Sequence, residues 1–582
     1  MALLTSALLL GLYILMASGA KFWDRDEPRF AQATVEMVQS GNWLYPTFQG
    51  RLRPDKPILI YWAMAIAIKL AGMRELAFRL PCCLGLMGAG LCTYAAGRKM
   101  FSAKVGWWAL VMLGTAILPA IMGTLATADG VLLFFLTATM TVFIYGFMDE
   151  KWHWKHGLTM GIALGGAWLT KGPVALLIVG SIALTAYWNQ QTSKQQQGMK
   201  RQIALAIAIS IAIFLAWAMP ANMATNGEFA KIGLGRHVFS RMVTPAEGHG
   251  GTQWWQYLLL LPTYLPVIVA GFFPWTLFLP AGIYALCKTT IGDQKTRAVL
   301  WGWILPTLAV MSLVATKLPH YILPAFSGLA VLTAATLCQA HEGRLSGFAK
   351  NWLRGGIWFF APVGIGILTI LLVGVIGLQL IAGTGEPTQP SSLLPKLQNH
   401  QTITINPVSP LWWGICLATA AAGFLWIITV IQKQIREHVK QTATLALIGV
   451  GIGLALIWSI IIPSLEPAVK LAKPIAEIIN TSSSQNTPWA VCGYEEPSLT
   501  FYVGRGVPEK LDGDKAIDDW LKKPHPGVLV IEQERWNQAM TTLGNNPLPC
   551  HQAGEVEGIN HNQFGRKQRI LVIVKKQTSQ NS

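Results

Sequence analysis

At 582 residues, 52% hydrophobic and only 13% charged, the chain is too apolar for a soluble protein, in which about a quarter of residues carry charge. Its net charge of +17 would suit nucleic acid, but the basic residues sit mostly in short gaps between apolar runs, as topology signals do. Composition thus excludes a soluble enzyme and a nucleic-acid partner, and implies a polytopic protein of the lipid bilayer. The first apolar run, 2–20, is long enough to cross a bilayer. It has no Lys or Arg before it and no convincing cleavage site after it, so it reads as a retained anchor. Further spans are expected at 77–97, 105–123, 130–148, 157–170, 173–188, 202–220, 262–287, 298–316, 321–338, 356–383, 409–431 and 441–463, thirteen in all. The 157–170 and 173–188 runs meet at Thr170-Lys171-Gly172-Pro173 and form either a tight hairpin or one kinked segment.

Six gaps rich in Lys and Arg, such as Arg98/Lys99/Lys104 and Lys433/Arg436/Lys440, alternate with gaps that are not. The basic side is cytoplasmic, which puts the N-terminus inside and the C-terminus outside. The segment 21–76, Asp129, the Lys171 turn, 221–261, the 317–320 turn and the tail then share the outer face. Within 21–76 two helices are expected, 27–39 closed by Ser40-Gly41 and 58–70 closed by Gly72. The second is apolar and carries Tyr61 and Trp62, which suits the membrane interface. The chain divides into a transmembrane unit 1–463, a linker 464–485 and a C-terminal α/β unit 486–582. The last has strand-like runs at 489–494, 499–503, 528–531 and 570–574, and helix-like ones at 514–523 and 533–543. Six of the eight cysteines lie in apolar segments. Cys492 and Cys550 lie in the tail and are candidates for a disulfide if that compartment is oxidising.

The outer loops concentrate the chemistry. Asp24-Arg25-Asp26-Glu27-Pro28-Arg29 and Pro54-Asp55-Lys56-Pro57 place acids and cations at the membrane surface, a pattern suited to an anionic, membrane-embedded substrate. Asp26 is a candidate catalytic base, against the plainer role of helix cap, with Glu27 favourable to the dipole. Lys56 at a helix start has the wrong sign for the dipole, so Asp55 or an anionic ligand must favour it, unless it snorkels to lipid headgroups. Asp129 and Lys171 are acid and cation at span boundaries, either caps and anchors or functional. His237, Asp55 and His320 are N/O donors that a divalent ion (Zn, Mg or Mn) would accept, though their spacing is not diagnostic, and a loop histidine is more often simply solvated. His249, Lys317 and Tyr321 are further polar candidates on this face.

At these residues the chain resembles one superfamily, the polyprenyl-phosphate-sugar glycosyltransferases, similar to the lipid A aminoarabinose transferases and protein O-mannosyltransferases. The resemblance rests on Asp26-Glu27-Pro28-Arg29, Ser40-Gly41-Asn42-Trp43 and Asp55-Lys56-Pro57, followed by Arg79-Leu80-Pro81, Thr127-Ala128-Asp129, Leu169-Thr170-Lys171-Gly172-Pro173 and Lys317-Leu318-Pro319-His320-Tyr321. It implies an all-α polytopic GT-C-like fold in a bacterial inner membrane with a periplasmic site. It also implies a polyprenyl-monophosphate sugar donor and an inverting transfer to lipid A or protein. Asp26 and Asp129 match the family's loop acids; Arg29, Lys56 and Lys171 match its donor-phosphate contacts. Relatives often carry Glu before the lysine of the second motif, so Asp55 puts a carried-over metal role in doubt. Two rivals are a lipid-linked substrate transporter and a non-catalytic receptor. Transporters place charges near the midplane and often show inverted repeats, whereas here the charges cluster outside and no repeat is visible.

Overall fold

In lipid every backbone polar group must be satisfied within its own segment, so membrane-length apolar runs fold as helices. The computed structural model describes residues 1–188, 193–235, 254–345, 347–353, 470–543, 550–560 and 566–575, with isolated residues 449, 453 and 466. Among them six helical runs are long and apolar enough to span a membrane: Glu75–Met100, Asp129–Asp149, Trp154–Trp188, Gln195–Ala224, Gln294–Leu313 and Pro319–His341. Two bent pairs, Ala103–Thr115 with Ile117–Gly123 and Trp255–Gly271 with Trp275–Cys287, raise the number to eight when the Trp154–Trp188 run is counted once. The first helix, Ala2–Ser18, is shorter. The spans expected at 356–383, 409–431 and 441–463 lie almost wholly outside the described residues.

The Trp154–Trp188 run is broken at Gly172, whose φ of 59° no helix accepts. Its second half, Leu176–Trp188, packs on Gln294–Leu313: Leu176 and Leu177 share a cavity wall with Val310 and Met311, and a Cβ on Gly302 would meet Thr185 Oγ1 and Ser181 O. Gln294–Leu313 begins beside Glu150, where Lys295 is paired, so Leu176–Trp188 runs back toward the Glu150 side. Of the two alternatives at Lys171, the hairpin is the one present.

Glu75–Met100 packs along Asp129–Asp149 at very close range. A Cβ on Gly85 would lie 2.6 Å from Gly130 O, and one on Gly130 would lie 2.7 Å from Cys82 O. Only glycine permits that approach, and it fixes the height of Asp129, one residue before the crossing. In the 21–76 segment a helix Asp26–Ser40, ended by left-handed Gly41, is followed by a two-stranded ribbon, β1 (Thr47–Phe48) and β2 (Arg51–Leu52), and a helix Leu59–Ala71.

The C-terminal residues form a five-stranded sheet of β3 (Trp489–Cys492), β4 (Glu509–Lys510), β5 (Gly527–Glu532), β6 (Cys550–Asn560) and β7 (Arg566–Lys575), in the order β4-β3-β5-β7-β6. Every residue of β5 is buried because both faces are covered. Val528 and Val530 face a cluster with Ile475 and Leu499; Leu529 and Ile531 face one with Ile517 and Trp520. The run expected as a strand at 499–503 is instead part of a helix, Pro497–Val503, opened by proline at its first position and closed by left-handed Gly504. Ala472–Ser482, within the stretch expected as linker, is a helix packed on this sheet. Cys492 and Cys550 are both free thiols, which corrects the disulfide expectation. They lie on β3 and β6, separated by β5 and β7. Strands sit about 4.8 Å apart, so the two thiols are far beyond the roughly 7 Å Cα limit for a bridge.

Candidate active site

The first loop is held by a buried ion pair. Glu27 and Arg79 are each 1% exposed, with Arg79 Nε 2.7 Å from Glu27 Oε1 and Nη2 2.8 Å from Oε2. Arg79 also donates to the carbonyls of Ala17 (2.7 Å), Ala20 (2.5 Å) and Lys21 (3.0 Å). Glu27 accepts from the backbone N–H of Trp23 (2.8 Å) and of Ala126 (2.7 Å). One carboxylate therefore ties the segment bearing Asp26 to the segment bearing Asp129. Burial alone would raise the Glu27 carboxyl, but the Arg79 guanidinium and these N–H donors outweigh it and hold it below the usual carboxylate range. Replacing Glu27 by Ala strands a buried guanidinium and is expected to cost about 3–5 kcal/mol, read as a fall in thermal midpoint in detergent. Because its folded pKa is depressed, Glu27's contribution is complete above its unfolded value of about 4.3 and is lost as pH falls through the depressed value. A Glu27→Gln protein should lack that acid-side loss.

Asp26 is the first residue of its helix; the N-cap position is Arg25, and no side-chain cap bond forms there. The cap role weighed against catalysis is therefore absent, and the carboxylate is exposed. Asp129 likewise opens its helix without a side-chain cap bond. It is 6% exposed and lies 2.5 Å from Lys171 Nζ, which also stands 5.2 Å over the Tyr321 ring. Lys171, His320 and Lys56 lie within electrostatic reach of Asp129, and Lys171, His320 and Arg53 within reach of Asp26.

Asp129, Lys171, His320 and Lys56 border a cavity of about 730 Å³ whose walls also include Asp55 and Tyr321, while Asp26 is not part of the wall. The remainder of the wall is mostly apolar. It includes Trp168, Phe214 and Trp217, whose rings follow one another at 5.4 and 5.8 Å, together with Leu176 and Val310. Gly172 joins the two cation-bearing loops: a Cβ there would touch Pro57 at 3.8 Å. The arrangement offers cations at the loop-bearing face and an apolar trough between helices, which suits an anionic head on a hydrocarbon tail.

Other expected residues fall elsewhere. Arg29 is half-buried one turn along from Asp26 and is not part of the cavity wall. Lys317 donates to the carbonyls of Met311 (3.3 Å) and Ser312, closing the end of Gln294–Leu313. His237 and His249 lie outside the described residues. Among the described residues no three His, Cys, Asp or Glu side chains converge as metal ligands. Asp55 is paired with Arg53 at 3.1 Å. Arg53 was not among the expected residues. It is 8% exposed, 3.2 Å from Tyr61 OH, and lies near the Phe30 and Phe48 rings. A cation two residues before Asp55, ahead of a tyrosine-bearing helix, was the available signal.

Fold and site together define a polytopic membrane protein with a mostly apolar cavity that carries cations at its loop-bearing face. The dolichyl-phosphate-mannose-protein mannosyltransferase family matches residues 2–225. The chain is 26% identical, over 63% of its length, to the undecaprenyl phosphate-alpha-4-amino-4-deoxy-L-arabinose arabinosyl transferase of Shewanella sediminis, and the match spans 65% of that relative. It is 26% identical over 77% of its length to such a transferase of Pseudomonas fluorescens, 76% of which is covered. Its fold is similar to that of ArnT from Cupriavidus metallidurans bound to undecaprenyl phosphate, with a TM-score of 0.71, 17% identity and coverage of 99% of this chain and 98% of that one. The chain is thus similar to polyprenyl-phosphate-sugar glycosyltransferases, and it shares the fold of ArnT.

Proposed function

We propose that this protein is an inverting glycosyltransferase of the bacterial inner membrane. It moves 4-amino-4-deoxy-L-arabinose from undecaprenyl monophosphate to lipid A at the periplasmic face, with its N-terminus in the cytoplasm and its C-terminal α/β unit outside. In this reading the transmembrane unit has thirteen spans. The observation that carries the proposal is the apolar cavity bordered by Lys56 and Lys171 at the loop-bearing face.

The chemistry follows from that placement. An acceptor oxygen attacks the anomeric carbon while the carbon–oxygen bond to phosphate breaks, and the leaving phosphate keeps the electron pair. Lys56 and Lys171 stabilise the charge that builds there, and Tyr321 shares their wall. Arg29 is the next cation along the Asp26 helix and serves an incoming headgroup. Asp26, exposed and without a cap bond, accepts the acceptor's proton. Asp129, locked to Lys171, is a poor base and orients that lysine. The donor's chain stays between the helices while its head reaches the loops.

Mass spectrometry of lipid A and of envelope glycoproteins, with and without this protein, tests the reading. An aminopentose confined to lipid A supports it. The mannosyltransferase match over residues 2–225 favours protein as the second acceptor, and a sugar lost only from glycoproteins would select that reading. Lipid A and glycoproteins unchanged by the protein's loss contradict both.

A further inference from the structure

The catalytic-loop residues 21–25 are gripped almost one by one from the C-terminal residues. The N–H of Lys21 donates to Glu466, and its carbonyl accepts from Lys470 Nζ. Phe22, 1% exposed, is wedged between Phe78 and Phe501 with ring centroids 5.6 and 4.9 Å away, both edge-on. The Phe22 N–H donates to Tyr502 OH at 3.1 Å, and Lys470 Nζ stands 4.5 Å over the Trp23 ring. Asp24 takes two bonds from one residue 474 positions away, from Ser498 N at 3.0 Å and from Ser498 Oγ. Arg25 lies 3.7 Å from Glu496, which accepts from Asn560 of β6 at 3.1 Å. On the other side of Asp26, Glu27 is fixed by Arg79. Asp26 is thus an exposed carboxylate between two anchored flanks, and one of those anchors is the sheet-bearing unit.

We propose that the C-terminal unit is a positioning element for the transfer reaction, and that Ser498 and Phe501 are positioning residues that keep Asp26 within reach of Lys171 and His320. This rests on the reading of Asp26 as proton acceptor. Neither residue belongs to the cavity wall, so their effect falls on the geometry of the reacting groups and not on the binding of the lipid. A reacting group displaced by about 1 Å costs on the order of 10²-fold in rate, whereas the cations facing the phosphate stay where they are.

The test uses the full-length protein with Ser498→Ala, Phe501→Leu and Ser498→Thr. Amide hydrogen exchange is followed at 21–30 and at 326–341, and transfer kinetics are measured against donor concentration. The first two variants should exchange faster at 21–30 alone. They should lose on the order of 10²-fold in kcat with KM for the donor little changed, and Ser498→Thr should retain wild-type behaviour. Phe501→Leu leaves the Asp24 bonds intact and decides the matter if Ser498→Ala does not fold. Unchanged exchange at 21–30, or a loosened loop with unchanged kcat, overturns the proposal, as does a loss that appears in KM alone. If the wild type transfers no sugar, the functional reading fails, while exchange at 21–30 still decides whether the unit holds the loop.

Discussion

Lys171→Ala lowers kcat/KM for a polyprenyl-phosphate-linked sugar by on the order of 10²–10³-fold, the range for removing one preorganised stabiliser of transition-state charge. The lysine is held 2.5 Å from Asp129 with its side chain only 10% exposed, so its ammonium is fixed and poorly screened. The single substitution also strands Asp129, and a buried carboxylate without its partner destabilises by about 3–5 kcal/mol. The double variant Lys171→Ala/Asp129→Asn separates the two effects. It should recover most of the thermal midpoint and none of the activity. A double variant that regains transfer would assign the pair to structure alone.

Asp26→Asn is expected to lower kcat by about 10²–10⁴-fold, the usual contribution of a positioned general base. The exposed Asp26 makes no cap bond, so stability should stay within about 0.5 kcal/mol of wild type. That separation of activity from stability is the diagnostic. Near-normal transfer by Asp26→Asn would remove it as proton acceptor, leaving Asp129 as the next carboxylate to test.

Much of this site could be read from local pattern. Asp129 and Lys171, 42 residues apart, were each singled out as a charge at a span boundary on one face, and they meet in the structure. Lys56, Asp55, His320 and Tyr321 come to the same wall from loops that the basic-gap pattern placed together. The helices Asp26–Ser40 and Leu59–Ala71 were legible because a turn glycine closes each one. What stayed hidden depends on contacts with no local signature. Arg79 looks like an ordinary cation at the start of a span, and nothing near it in sequence points to Glu27, 52 residues earlier. The hold of Ser498 on Asp24 spans 474 residues. At 499–503, a five-residue apolar run cannot be told as strand or helix by periodicity, and Pro497 and Gly504 decide it. Strand β6 was missed because its exposed residues give it no apolar run. The cysteine pairing failed because strand order, which separates β3 from β6, is not written in spacing.

The most direct test places purified protein in proteoliposomes with undecaprenyl-phosphate-linked 4-amino-4-deoxy-L-arabinose and lipid A, and follows both lipids by mass spectrometry. The account predicts that lipid A gains the aminopentose as free undecaprenyl phosphate appears in equal amount, and that Asp26→Asn stops both. Movement of intact donor across the bilayer with no cleavage of the sugar–phosphate bond would contradict it and identify a transporter instead.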